Sequence, residues 1–145
     1  MKLVKPGLLL AASVAPVDCG SSSPTVQYSV AGRWAGSCSL FRVQLDLAEK
    51  GDKYYRDVTG SGSFVDPTGT TGTFTVSGFN EAAEPGVQAS VLLNFFCNPN
   101  CPAYAYGQSY GQFLGNWSGQ DTIDGSFGPP PGRVGPVCQL TLHHA

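Results

Sequence analysis

Charged side chains are scarce in this chain: Lys, Arg, Asp and Glu make up 12% of its 145 residues, and the formal net charge is −2. The eight Lys and Arg residues are scattered, so the basic patch that nucleic-acid binding requires is missing. No apolar run reaches the 20 or so residues of a membrane-spanning helix. The two histidines, His143 and His144, lie beside the C-terminus, where chain ends fray. We therefore expect a non-enzymatic protein without a cofactor, a metal or a nucleic-acid partner.

Glycine and hydrophobic residues are plentiful, with 19 glycines and a hydrophobic share of 41%. Apolar and polar residues alternate along residues 41–47, part of a long first strand that begins near Gly32. Further extended runs, separated by turn residues, cover residues 54–65, 73–77, 87–97, 104–117, 120–127 and 137–143. A meander of about eight strands removes its exposed edges by closing. The sequence thus predicts an all-β fold over residues 28–145, a single antiparallel up-and-down β-barrel, with a β-sandwich as the alternative.

The barrel interior can be predicted from the same alternation. A short pattern of glycine, hydroxyl residue and phenylalanine recurs at residues 62–64, 72–74 and 125–127, which we interpret as bends with an inward aromatic ring. We interpret Asp121 and Asp124 as structural, with Asp124 and Gly125 forming a turn or bulge. Phe113 and Trp117 are expected in the core. The other predicted interior residues are Phe41, Val43, Leu45, Phe64, Phe74, Val76, Leu92, Phe127, Leu140 and Leu142.

The N-terminus has the pattern of an export signal. In residues 1–18, Lys2 and Lys5 precede a short apolar stretch that is too short to cross a bilayer. Cys19 follows immediately and begins a flexible polar segment, residues 19–27. This arrangement resembles the signal peptide, lipidated cysteine and tether of small bacterial envelope lipoproteins.

The lipoprotein resemblance implies where the protein resides. Cys19 would be diacylated and would anchor the chain to a membrane, and Gly20 after it fits the outer membrane. The barrel would then face the periplasm or the cell surface. Secretion without a lipid stays open as an alternative, because Asp18 stands where lipoproteins have a small residue.

The cysteine count fits an exported chain. The five cysteines are Cys19, Cys38, Cys97, Cys101 and Cys138. If Cys19 carries lipid, the remaining four can form two disulfides in three pairings. We favour Cys97 with Cys101, across a short turn, and Cys38 with Cys138, because the first and last strands of a closed barrel are neighbours. The cysteine spacing, without a well-placed histidine, is poor for a zinc site.

A second resemblance concerns the barrel itself. Gly32-Arg33-Trp34 at the start of the first strand resembles the opening of lipocalins and avidin-like proteins, the calycin group of eight-stranded ligand barrels, and Asn116-Trp117 is similar to an avidin segment. The resemblance implies that Trp34 closes one barrel end. Biotin binding is not implied, because the chain has two tryptophans and the avidin site has more. A weaker likeness is to periplasmic protease inhibitors of the small disulfide-bonded barrel type, which implies that residues 20–30 enter a protease cleft.

Tyrosines and amides suggest a binding surface. Tyr104, Tyr106 and Tyr110 share one face of a regular strand, together with Gln108 and Gln112. Such side chains combine flat apolar contact with hydrogen bonding. With Trp34, the three tyrosines are the predicted ligand-binding residues. We expect an envelope-anchored barrel that binds a small apolar ligand or a protein partner, with a periplasmic protease inhibitor as the alternative.

Overall fold

The computed structural model describes residues 25–86, 88–97 and 110–145, which form eight antiparallel strands and contain no helix. The strands are β1 (Gly32–Ser37), β2 (Arg42–Gly51), β3 (Tyr55–Val65), β4 (Thr71–Glu81), β5 (Ser90–Cys97), β6 (Tyr110–Gly119), β7 (Thr122–Gly128) and β8 (Cys138–His144). Each strand pairs with the next, and β1 also pairs with β8, so the barrel is closed. The predicted up-and-down barrel is confirmed, and its architecture is consistent with the calycin group. The expected signal peptide and Cys19 lie outside the described residues.

Two local predictions differ from the structure. The long first strand is two strands, because the chain turns after Cys38, whose amide nitrogen bonds the Phe41 carbonyl oxygen at 2.9 Å. The expected turn or bulge at Asp124 and Gly125 is wrong, because both residues pair in unbroken register within β7 and the turn falls at residues 120–121. Gly125 instead allows β7 to lie close to β6, because a side chain at this position would collide with the Leu114 carbonyl oxygen.

The barrel interior is a solid core. Side chains from all eight strands face the axis with at most 5% of their surface exposed, and most are at 0 or 1%. Six of the interior residues are phenylalanines, namely Phe41, Phe64, Phe74, Phe95, Phe113 and Phe127. Their rings contact one another at centroid distances such as 4.7 Å for Phe64–Phe74 and 4.8 Å for Phe41–Phe127. A side chain at or near 0% exposure has no water-sized void beside it, so the core leaves no open calyx along these residues.

The predicted interior is confirmed except at two positions. Trp117 is half-buried and packs against the core from the mouth instead of lying within it. Leu92 lies on the outer surface, because Val91, Leu93 and Phe95 of β5 face the axis. The recurring Gly-hydroxyl-Phe pattern does place its phenylalanines inside, yet its glycines lie within strands rather than at hairpin bends. A side chain at Gly62, for example, would collide with that of Leu45 on β2, so the glycine makes room for a large neighbour.

A disulfide fixes the closure of the barrel. Cys38, just after β1, is bonded to Cys138 at the start of β8, with a Cα–Cα distance of 5.8 Å and a sequence separation of 100. This confirms the favoured pairing. Cys97 is also disulfide-bonded. Its predicted partner Cys101 lies outside the described residues, so that pairing stays a prediction.

Candidate functional site

One end of the barrel, which we call the mouth, is where β2 ends and β3 begins, and the chain before β1 closes it. In this N-terminal segment, residues 25–31, the side chains of Val26 and Val30 are 8% and 0% exposed. The backbone nitrogen of Val26 bonds the carbonyl oxygen of Lys53 in the turn between β2 and β3. The Trp34 indole nitrogen donates to the Val30 carbonyl oxygen at 2.7 Å. The segment is thus held to the barrel by buried apolar contact and by hydrogen bonds.

Asn80, near the end of β4, organises the mouth. It is the one fully buried polar side chain among the described residues, at 0% exposure. Its amide nitrogen donates to the Tyr28 carbonyl oxygen at 2.7 Å, and its amide oxygen accepts from the Trp117 indole nitrogen at 3.2 Å. A buried amide stays favourable only when its groups are bonded. Asn80 therefore fixes the N-terminal segment and the end of β6 relative to each other.

Glu49, at the end of β2, adds a buried charge to the mouth. Its carboxylate accepts from the Val30 backbone nitrogen at 3.1 Å and from Asn80 at 3.3 Å, and it forms an ion pair with Arg56. Burial opposes ionisation of this carboxyl, whose side chain is 8% exposed. Hydrogen bonds from Ser29, Val30, Arg56 and Asn80 nevertheless outweigh burial and hold the pKa of Glu49 below its usual 4.5.

A small cavity opens beside this network. The mouth pocket has a volume of about 380 Å³ and is lined by nine residues, none of them charged. Its polar and aromatic members are Gln27, Tyr28, Gln88, Asn116, Trp117 and Ser118. The Trp117 ring packs against Tyr28 at 5.2 Å and edge-on against Trp34 at 5.7 Å. The pocket thus combines two fixed aromatic rings with three amides and a hydroxyl.

Apolar side chains line up on the outer surface next to the mouth. We call Tyr55, Phe79, Leu92 and Leu114 the outer apolar row. Phe79 pairs with Leu92 and Leu92 with Leu114 in register across β4, β5 and β6, and Tyr55 stacks on Phe79 at 5.4 Å. Tyr55 is 42% exposed and Leu114 is 50% exposed. With strands about 4.8 Å apart, the row extends roughly 14 Å.

A larger depression lies on the outside of β1 to β4, with a volume of about 610 Å³. It is lined by short hydroxyl side chains such as Ser61 and Ser63, by Gln44, and by the charged Arg33 and Asp46. Within the described ranges, no group of three or more His, Cys, Asp and Glu side chains is placed to hold a metal ion. The same part of the chain contains no helix long and apolar enough to cross a membrane.

The predicted binding residues fall in different places. Trp34 is 1% exposed, covered by Trp117 and by the His144 ring at 5.0 Å, so it closes the mouth and has no free surface for a ligand while residues 25–31 stay in place. Tyr104 and Tyr106 lie outside the described residues. The backbone of Tyr110 begins β6 and pairs with Phe96.

Asn80, Glu49 and Tyr28 were missed by the sequence analysis. Two of them carry a usable signal. Asn80 continues the inward positions of β4, and Glu49 continues those of β2 after Leu47, so each is a polar residue where the alternation predicts an apolar one. Such a residue near a strand end predicts a polar contact at a barrel mouth.

No protein-family model, curated protein or solved structure matches this chain. The barrel, the mouth pocket and the outer apolar row therefore carry the functional argument.

Proposed function

We propose that this chain is a non-enzymatic protein of the cell envelope, anchored by a lipid on Cys19, that binds a protein partner through the outer apolar row. The observation that carries the proposal is this row on the outside of a barrel whose interior is solid: Tyr55 and Leu114 are exposed, and Phe79 and Leu92 between them are half-buried. A small apolar ligand inside the barrel would need space that the phenylalanine core occupies. We therefore propose that the partner binds to the outer surface of the barrel, where contiguous exposed apolar residues mark interaction sites.

The chemistry of the row suits a protein surface. Aromatic residues are enriched at protein interfaces, and Tyr55 combines a broad apolar face with a hydroxyl. The Tyr55 hydroxyl is protonated at neutral pH and can donate a hydrogen bond, and desolvation, followed by the charges of Asp57 and Glu81, raises its pKa further. The acidic neighbours favour a partner with basic residues around its apolar contact.

The alternative function, a protease inhibitor that inserts its N-terminal segment, is less well supported. Val26 and Val30 are buried, and Asn80 and Glu49 bond the backbone of this segment. Insertion into a protease cleft would require breaking these contacts. The Cys38–Cys138 disulfide fits either function, because it supports an oxidising compartment.

A photo-cross-linking experiment tests the partner proposal. A photoreactive amino acid replaces Leu114 of the outer apolar row in cells that natively produce the protein. The matched control replaces Gln139, an exposed residue of β8 away from the row. We expect a discrete protein adduct from position 114 and none from position 139, identified by mass spectrometry. Adducts from 139 alone, or no protein adduct at either position, would contradict binding through the row.

A further inference from the structure

The mouth pocket has the size and composition of a ligand site. Its volume of about 380 Å³ lies within the range of about 300–1,000 Å³ that is common for small-molecule sites. The nine lining residues carry no formal charge. Three of them have amide side chains, Gln27, Gln88 and Asn116, and the last two are not engaged by the hydrogen bonds that hold the mouth closed.

The aromatic walls of the pocket are set before any ligand arrives. The single buried side chain of Asn80 accepts from the Trp117 indole N–H and donates to the backbone carbonyl oxygen of Tyr28, and the Tyr28 ring packs against Trp117 at 5.2 Å. Trp34 supports the Trp117 ring from below with an edge-on contact. Because the indole N–H is used inward, Trp117 offers the pocket its apolar ring rather than its donor. Fixed walls lower the ordering cost of binding.

The residue types restrict the class of ligand. A charged ligand would be desolvated without a counter-charge among the lining residues, which is unfavourable. A purely apolar ligand would cover amide groups and leave them without partners. A neutral ring with hydroxyl groups around its edge and C–H groups on its faces avoids both of these costs. Its faces pack on Tyr28 and Trp117, and its hydroxyls form hydrogen bonds with the amides.

We propose that the mouth pocket binds a neutral saccharide ring. Trp117 and Tyr28 form the stacking surface, and Gln88 and Asn116 bond the ring hydroxyls. This goes beyond the partner proposed above and does not depend on it, because the outer apolar row contributes no residue to the pocket.

Titration with a panel of neutral saccharides tests the proposal. The probes are hexose and N-acetylhexosamine mono- and disaccharides, and a uronic acid is the charged comparison. Tryptophan fluorescence and the NMR signals of the side-chain amides and indoles report binding. We expect at least one neutral saccharide to give a saturable change that includes the Trp117 indole, and no response to the uronic acid. Vesicles that carry a neutral hexosyl lipid form a second arm, which distinguishes a lipid headgroup from a free or polymeric glycan.

Variants locate the binding to the pocket. The double variant Gln88→Ala/Asn116→Ala removes two hydrogen-bonding groups and should weaken binding about fivefold or more. The matched control is Gln44→Ala in the larger depression on the outside of the barrel. All three residues are exposed, so thermal unfolding should show the same fold in each variant. The proposal is overturned if neither the soluble neutral saccharides nor the vesicles give a saturable response, or if the double variant and Gln44→Ala bind equally well.

Discussion

Glu49 is the buried charge on which the closed mouth depends. Its hydrogen bonds hold its folded-state pKa below the usual 4.5. Above pH 4.5 the carboxylate is ionised in both states, and its stabilising effect is fully present. As the pH falls from 4.5 through the folded-state pKa, the unfolded chain takes up the proton first, and the effect is lost.

We therefore expect Glu49→Gln to destabilise the protein at neutral pH and to differ less from the wild type in acid. Urea unfolding at about pH 7 and about pH 3 measures the difference between the two proteins at each pH. Other carboxylates titrate in both proteins, so their contribution cancels in this difference. The control is Glu84→Gln, at an exposed residue. A gap between wild type and Glu49→Gln that is equal at both pH values would show that the charge of Glu49 does not support the mouth.

At the same scale, sequence alternation identified most inward residues but could not assign Leu92. The run Val91–Phe96 has a single polar residue, Asn94, on the same face as Leu92, so the contrast between its two faces is weak. The pairing of Leu92 with Phe79 and Leu114 decides which face of β5 points outward, and that pairing is a long-range property of the sheet. The outer apolar row was missed for the same reason.

Among the elements, β1 and β8 form the seam of the barrel. They are the farthest apart in sequence, and their ladder has four paired positions, from Trp34–His144 to Ser37–Thr141. By comparison, the ladder between β3 and β4 has eleven paired positions. The Cys38–Cys138 disulfide lies at one end of this short seam and compensates for its few backbone contacts.

Removing this disulfide should be costly. We expect the double variant Cys38→Ala/Cys138→Ala to lower the free energy of unfolding by about 2–5 kcal/mol. Without the crosslink, which spans 100 residues, the unfolded chain gains conformational entropy. Urea unfolding without reductant measures the loss. The comparison is Cys97→Ala/Cys101→Ala, which on the predicted pairing opens a loop of five residues and should cost about 2 kcal/mol. A smaller loss for the first variant than for the second would contradict the role of the disulfide in the seam.

The strands themselves were more predictable than their ends. Alternation and glycine spacing suffice for an up-and-down barrel, because each strand pairs with its neighbour in sequence. The turn between β6 and β7 was misplaced because Asp124-Gly125 has the composition of a turn, whereas Gly125 is needed for its close approach to β6. The break between β1 and β2 was missed because residues 38–41 contain neither glycine nor proline.

For the molecule as a whole, the position of the first described residues sets the geometry of the proposed anchor. Thr25 precedes Val26, which bonds Lys53 at the mouth. Six residue steps separate Cys19 from Thr25, and a chain spans at most about 3.5 Å per step, or about 20 Å in all. A lipid on Cys19 would therefore keep the mouth of the barrel within about 20 Å of the bilayer surface, and the outer apolar row beside the mouth would meet partners at the membrane.

The anchor itself gives the last prediction. The intact mass of the mature protein from native envelopes should equal residues 19–145 plus a diacylglyceryl group on Cys19. Cys19→Ser should lose the added diacylglyceryl mass, because a serine hydroxyl cannot form the thioether to the lipid, whereas Ser22→Ala should keep it. A mature chain with an unmodified Cys19 would contradict the anchor. The partner and saccharide proposals would survive that result, because the outer apolar row and the residues proposed to bind the saccharide (Tyr28, Gln88, Asn116 and Trp117) all follow the tether.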